Sequence, residues 1–186
     1  MHMLALQASP RKRGNTATLL DSFLKGADCV KNVSIERVFL HEKKIKPCKA
    51  CDKCQQALEP KCVIKDDMDG LYLEFLKADM LVLATPVYWW SMSAQLKLFI
   101  DRMYALTMGE DNSNLAGKRI ILLTTYGGDD PNSGPELLKK TFEDIAGFTG
   151  MKLSAFLGVC TGKVEVAENR EALEKAFELG KKMATE

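Results

Sequence analysis

Residues 79–89 read DMLVLATPVYW, and the run from Met80 to Ala84 is apolar at every position. A strand with one face in water alternates apolar and polar residues; a strand covered on both faces does not need to. Both faces of this run are therefore expected to be covered, with the strand ending at Thr85 and Pro86. The runs MLALQAS (3–9), KRIILLTTYGG (118–128) and KLSAFLGV (152–159) read as further strands, whereas VSIERVFL (33–40) alternates, as a strand with one more exposed face would.

Amphipathic runs separate these strands. A helix is expected from Asn15 or Thr16, with Leu19, Leu20, Phe23, Leu24 and Ala27 on one face. Residues 66–78 read as a helix with two acids in its first turn, which suits the positive end of the helix dipole. Residues 93–106 form a strongly amphipathic helix. Residues 135–150 start with Pro and end in Gly, as a helix does, and a last helix covers 166–183. Near-strict alternation of buried strands with helices predicts an α/β fold, a doubly wound parallel sheet with helices on both faces. Ligands of such sheets bind beyond the carboxyl ends of the strands. Three loops there carry unusual chemistry: 9–16, 85–91 and 125–134.

The chain of 186 residues is expected to be one domain, large enough to bury a core without staples. Its net charge of +1 gives no electrostatic reason to expect nucleic acid or an anionic membrane as partner. The N-terminus lacks the order of a signal peptide, and no apolar run approaches a membrane span of roughly 20 residues. A cytoplasmic protein is expected, where clustered thiols bind metal or do redox work more often than they form disulfides.

The loop SPRKRGNT (9–16) runs into a helix start with hydroxyls, an amide, two arginines and a glycine. That is apt for a phosphate, because free helix N–H groups and the dipole favour an anion. It is equally apt for a capped, exposed helix start. It matches neither the P-loop nor the dinucleotide fingerprint. In TPVYWW (85–90) aromatic rings crowd a position where polar residues are expected, which suits a flat ligand, a partner, or the edge of the core. In TTYGG (124–128) the glycines allow a backbone to approach a ligand, while 129–134 read as a plain turn.

SPRKRGNT, the PC..C..C stretch, DDM, ADMLVLATPVYWWSMSAQLKLFIDR (78–102) and TTYGG together resemble the flavodoxin-like NAD(P)H-dependent FMN reductases, and within them the iron–sulfur flavoproteins. The resemblance implies strand order 2-1-3-4-5, FMN at the strand carboxyl ends, and a homodimer or homotetramer with FMN near the interface. It implies that Ser9, Arg11, Gly14, Asn15 and Thr16 hold the FMN phosphate, with Arg13 a weaker candidate than Arg11. Pro86, Val87, Tyr88 and Trp89 would line the ring, and Thr125, Tyr126, Gly127 and Gly128 would border its other edge. Asp101 and Arg102 match the pattern too and read as helix-end structure.

Four of the six cysteines lie in PCKACDKCQQALEPKC (47–62), an insertion at about 45–64. Structural zinc usually takes two separate C-x2-C knuckles. The overlapping spacing Cys48-x2-Cys51-x2-Cys54 instead suits one thiolate to each of three irons, with Cys62 as the fourth ligand. A [4Fe–4S] cluster is favoured over an empty thiol loop, and zinc comes third. Cys29 and Cys160 read as small buried residues.

The resemblance implies an enzyme in which NAD(P)H reduces FMN and electrons pass through the cluster to a small-molecule or protein acceptor. No side-chain acid or base is required. The histidines, His2 and His41, are badly placed for catalysis. The alternatives are a cluster-free NAD(P)H:FMN or quinone reductase, and a non-enzymatic redox carrier or sensor.

Overall fold

The five apolar runs become five parallel strands: β1 (His2–Gln7), β2 (Ser34–Phe39), β3 (Met80–Pro86), β4 (Arg119–Tyr126) and β5 (Lys152–Cys160). They lie in the order β2-β1-β3-β4-β5. The computed structural model describes residues 1–57, 59–108, 114–128 and 134–186. The turn expected at 129–134 falls, but for Gly134, outside the described residues.

Strand β3 is buried at all seven positions, as its unbroken apolar run requires. Pro86 does not break it. Its register with Thr125 continues the β3–β4 pairing, and Pro at the last position costs the ladder one donor at a point where it ends. Strand β2 lies at the sheet edge, and its alternating sequence is correspondingly more exposed.

Helices α1 (Asn15–Asp28), α2 (Met68–Lys77), α3 (Ala94–Arg102), α4 (Pro135–Thr149) and α5 (Arg170–Thr185) cover the sheet. One apolar layer gathers α2, α3 and α4 against the sheet; the other gathers α1 and α5. Helices α1 and α5 meet through glycines. A Cβ on Gly26 would sit 1.9 Å from the Phe177 carbonyl oxygen, and one on Gly180 the same 1.9 Å from that of Phe23. This backbone contact and the fully buried Phe23 fix α1 on the sheet, and with it the direction in which its N-terminus points.

Three helix boundaries differ from the sequence expectation. The helix read over 66–78 starts at Met68, so only Asp69 lies in its first turn. Asp66 and Asp67 are drawn away to bind residues 44–46 and Arg102. The helix read over 93–106 ends at Arg102 and tightens into a 3-10 turn over Met103–Leu106. The last helix is a 3-10 turn over Val166–Glu168 followed by α5, capped by the Asn169 side chain accepting from the Ala172 N–H. Cys29 is exposed and Cys160 half-buried, so neither is the buried residue expected. Among the described residues no helix is long and apolar enough to cross a membrane.

Candidate functional site

The carboxyl ends of β1, β3 and β4 are stitched together before their loops diverge. The Ala8 N–H donates to the Ala84 carbonyl at 2.8 Å and the Val87 N–H to the Thr125 carbonyl at 2.8 Å. Ser93, fully buried, donates its hydroxyl to the Ala8 carbonyl at 2.7 Å, while its own N–H reaches the Thr85 hydroxyl at 3.0 Å. These bonds bring the three loops to one place. A crevice of about 140 Å³ opens there, lined by Ser9, Arg11, Asn15, Thr16, Pro86, Val87, Tyr88, Thr125, Tyr126, Gly127 and Thr161.

The floor of this crevice is the start of α1. Gly14 occupies the cap position and offers no side chain to the helix, so the first-turn N–H groups have no side-chain cap. A Cβ on Gly14 would sit 3.0 Å from the Arg11 Cβ, which is why a glycine lets the loop fold this tightly. Arg11 is exposed, and its guanidinium makes no ion pair among the described residues. Ser9 is buried and accepts from the Arg11 N–H at 3.2 Å. An anion at this helix start would meet helix N–H donors, a positive dipole end and an exposed cation.

Other expected residues are partly engaged. The Asn15 side-chain oxygen accepts from the Val166 N–H at 2.9 Å, which ties the helix start to the segment before α5. The Thr16 hydroxyl is buried against that of Thr125 at 2.7 Å and joins α1 to β4. Both line the crevice, and both also hold it together. Gly14 shapes it from behind.

Tyr88 and Ser91 exchange backbone hydrogen bonds of 2.9 and 3.0 Å across a tight turn. Its two central residues, Trp89 and Trp90, have φ of 50° and 59°, a left-handed turn that normally takes Asn and Gly. Trp89 is 90% exposed. It leaves the crevice and instead lines, with Val87, Trp90 and Gly128, a shallower hollow beside it. Gly134, at φ 100°, backs this turn. A Cβ there would meet the Trp90 Cα at 2.8 Å.

Thr161 was not singled out in the sequence. It follows β5, and its N–H donates to the Tyr126 carbonyl at 2.7 Å. A fourth strand end at the crevice was the available signal. Burial, reinforced by Cys160 and Glu136, pushes the Tyr126 phenol above its ordinary value, so its hydroxyl stays protonated at neutral pH.

The cysteine stretch leaves β2 and returns to α2. Cys54 and Cys62 are buried in the apolar layer under α2 and α3, while Cys48 and Cys51 are exposed. Burial pushes the Cys54 thiol up, and the nearby Cys62 and Cys48 add to this. Ala50 and Asp52, on either side of Cys51, both take left-handed φ, 48° and 52°. Such strain costs about 1 kcal/mol or more per residue. Among the described residues no three His, Cys, Asp or Glu side chains are gathered as a metal site.

At the neck of this loop lies a buried ion pair. Arg102 Nη1 donates to Asp66 Oδ2 at 2.7 Å, and both side chains are almost fully buried. Burial alone would raise the Asp66 pKa, but the Arg102 hydrogen bond and the N–H groups of Lys46 and Met68 hold it below the usual carboxylate value. Arg102 does stand at a helix end, as its sequence suggested; its reach to the neck carried no sequence signal.

A family model described as NADPH-dependent FMN reductase matches residues 1–161. The chain is 34% identical to an iron–sulfur flavoprotein of Archaeoglobus fulgidus, over 99% of this chain and 79% of that one. It is 29% identical to an iron–sulfur flavoprotein of Methanosarcina thermophila, over 98% of this chain and 93% of that one. Its fold superposes on an NAD(P)H:quinone oxidoreductase of Methanothermobacter marburgensis with a TM-score of 0.74 at 17% identity, covering 98% of each chain.

Proposed function

The chain belongs to the NADPH-dependent FMN reductase family, with iron–sulfur flavoproteins among its relatives, and from that premise we propose that its crevice holds FMN and that NAD(P)H reduces it there. The observation that carries this reading is the α1 start: a helix end whose cap residue, Gly14, offers no side chain, on the floor of a crevice, beside an arginine with no ion pair among the described residues. A phosphate satisfies all of these at once. Ser9, Arg11 and the first-turn N–H groups from Asn15 and Thr16 would hold it, with Gly14 making room. Pro86, Val87 and Tyr88 would line one side of the ring, and Thr125, Tyr126, Gly127 and Gly128 the other, with Thr161 added to the set. Trp89 would serve the outer face of the site, where the reductant or a second copy of the chain approaches.

Bound FMN supplies hydride acceptance and single-electron transfer; the residues bind it, orient it and limit water. The Tyr126 hydroxyl, kept protonated, is available as a hydrogen-bond donor at the crevice wall. The exposed rings of Trp89, Trp90 and Tyr88 favour a homodimer or homotetramer that covers them. A cytoplasmic, single-domain protein fits this reading.

We extend the proposal to a [4Fe–4S] cluster on Cys48, Cys51, Cys54 and Cys62. The donor chemistry fits: four thiols lie on one excursion, and Cys54 feels both Cys48 and Cys62. Among the described residues the thiols are not gathered as a metal site, so the loop would close around its iron. A second reading, a cluster-free NAD(P)H:FMN or quinone reductase, draws on the exposed Cys48 and Cys51.

Anaerobic purification followed by flavin, iron and acid-labile sulfide assays separates the two. Flavin with iron and sulfide supports the first; flavin alone supports the second. NAD(P)H should bleach the flavin absorbance within seconds. Protein that purifies with flavin but is not bleached by either nucleotide would be a carrier or sensor instead, and the proposed enzyme would be wrong.

A further inference from the structure

The neck of the cysteine loop is over-determined for a mere surface excursion. Arg102 has five N–H donors, and four of them have acceptors. Nη1 reaches the Lys46 carbonyl at 2.9 Å and Asp66 Oδ2 at 2.7 Å; Nη2 reaches the Ile64 carbonyl and Asp66 Oδ1, each at 3.3 Å. Lys46 and Ile64 are the two shoulders of the loop, one before Cys48 and one after Cys62. A single guanidinium therefore ties together the chain entering the loop and the chain leaving it.

The two aspartates complete the closure. Asp66 Oδ2 accepts from the Lys46 N–H at 2.9 Å, and Asp67 Oδ2 from the Lys44 N–H at 2.7 Å. The Arg102 carbonyl accepts from the Tyr72 hydroxyl at 2.8 Å, which anchors the arginine's own backbone to α2.

Burying this pair is expensive. Ion pairs out of water often contribute less than apolar residues of the same volume would, so stability alone is a poor reason for them. The fifth donor makes the expense larger. Arg102 is 2% exposed, and its Nε, also buried, has no hydrogen-bond partner among the described residues. An unmade bond of this kind costs about 1–3 kcal/mol. Asp66 balances this charge, and the bond from Nη2 to the Ile64 carbonyl holds the guanidinium two residues along the chain from Cys62.

We propose that Arg102, held by Asp66, is the positioning residue of the cysteine loop: it closes the neck and sets a fixed positive charge beside Cys62. The proposal rests on the cluster reading given above, and it deepens that reading by naming what presents the sulfurs and what balances their charge. Arg102 is not among the residues that line the crevice, so its effects are expected in the loop.

The test uses the full chain with Arg102→Met, Asp66→Asn and the double substitution. The double variant removes both charges while Asn keeps an acceptor for the Lys46 N–H, so it should fold even where a single variant does not. Flavin content, expected at the wild-type level, reports the fold. In iron-free protein, the alkylation rates of Cys54 and Cys62 are read by mass spectrometry. They should rise roughly ten-fold or more in the Arg102→Met and double variants, as the neck opens.

In protein carrying iron and sulfide, the reduction potential is read separately. Removing a positive charge should make it more negative and removing a negative charge more positive. Arg102→Met and Asp66→Asn should therefore shift it in opposite directions, with the double variant between them. Damage to packing has no reason to give opposite signs. Wild-type alkylation rates in the double variant overturn the neck. Unchanged potentials, or shifts of one sign, overturn the charge. Wild-type protein that takes up no iron overturns the cluster reading, and the alkylation rates still decide the neck.

Discussion

Around the crevice, the walls are strand ends joined by backbone hydrogen bonds, and the floor is a helix start tied down by the Asn15 and Thr16 side chains. Between Pro47 and Val63, the described backbone bonds are local, such as Gln55 N–H to the Asp52 carbonyl and Ala57 N–H to that of Cys54. The loop's shape is set instead from its neck, by side chains of Asp66, Asp67 and Arg102, and from one tether, Gln55 Nε2 to the Tyr104 carbonyl at 2.7 Å. The crevice is thus finished by the fold. The loop is held at its base, with two sulfurs buried, two outside and strained residues on either side of Cys51. On the proposed reading, the crevice is preorganised for FMN, whereas the loop would be completed by its cluster.

The comparison breaks most directly if the two sites depend on each other. Ser9→Ala with Arg11→Ala removes a charged donor and a hydroxyl from the crevice. Charge-assisted hydrogen bonds contribute about 1.5–3 kcal/mol each, so FMN affinity should fall roughly 100-fold. Fluorescence titration of the apoprotein with FMN measures it, and alkylation of Cys54 and Cys62 should not change. An FMN affinity at the wild-type level would remove the phosphate assignment.

The neck should also respond to pH at both extremes. Burial pushes the Tyr72 phenol up to about 12, and this hydroxyl anchors the Arg102 backbone. Its folded value lies above its ordinary 10.0, so the stability it contributes is present below pH 10.0 and is lost as pH rises through about 12. The loss is on the order of 2–3 kcal/mol at most, and Tyr72→Phe should abolish that alkaline step in a denaturation series. Asp66 has the opposite sign. Its value is held below the ordinary 3.8, so its contribution is present above that pH and is lost as acidity carries it through the lower folded value. At the acid extreme, cysteine accessibility should rise before the FMN site is lost.

The fold was legible because its signal is repeated. Unbroken apolar runs at β1, β3 and β4, each followed by an amphipathic helix, allow few arrangements. The crevice was legible for the same reason: ligand chemistry collects at the carboxyl ends of those strands. What could not be read were contacts between distant segments. Nothing near Arg102 marks its reach to Lys46 and Ile64, and Asp66 looked like a helix-start acid until its partner was known. Thr161 lacks a local motif; only the strand order puts it beside Tyr126. Pro86 ends β3 where the sequence expects the strand to end, because a last-position Pro gives up a donor where the ladder stops.

The smallest expected effect concerns the turn at Trp89. A left-handed backbone suits Asn or Gly, and tryptophan at φ 50° carries strain with almost no packing to offset it, since the ring is 90% exposed. Trp89→Asn should therefore stabilise the chain by about 0.5–1 kcal/mol, seen as a rise of a few degrees in Tm. If the ring serves the outer face of the FMN site, the same substitution should raise the KM for NAD(P)H or weaken self-association, while FMN affinity stays near wild type. A variant that is more stable, equally active and equally associated would mean that the strain serves neither role. Crevice and turn would then differ as crevice and loop do: one shaped by the sheet for a ligand, the other held in a costly shape for a reason outside the flavin site.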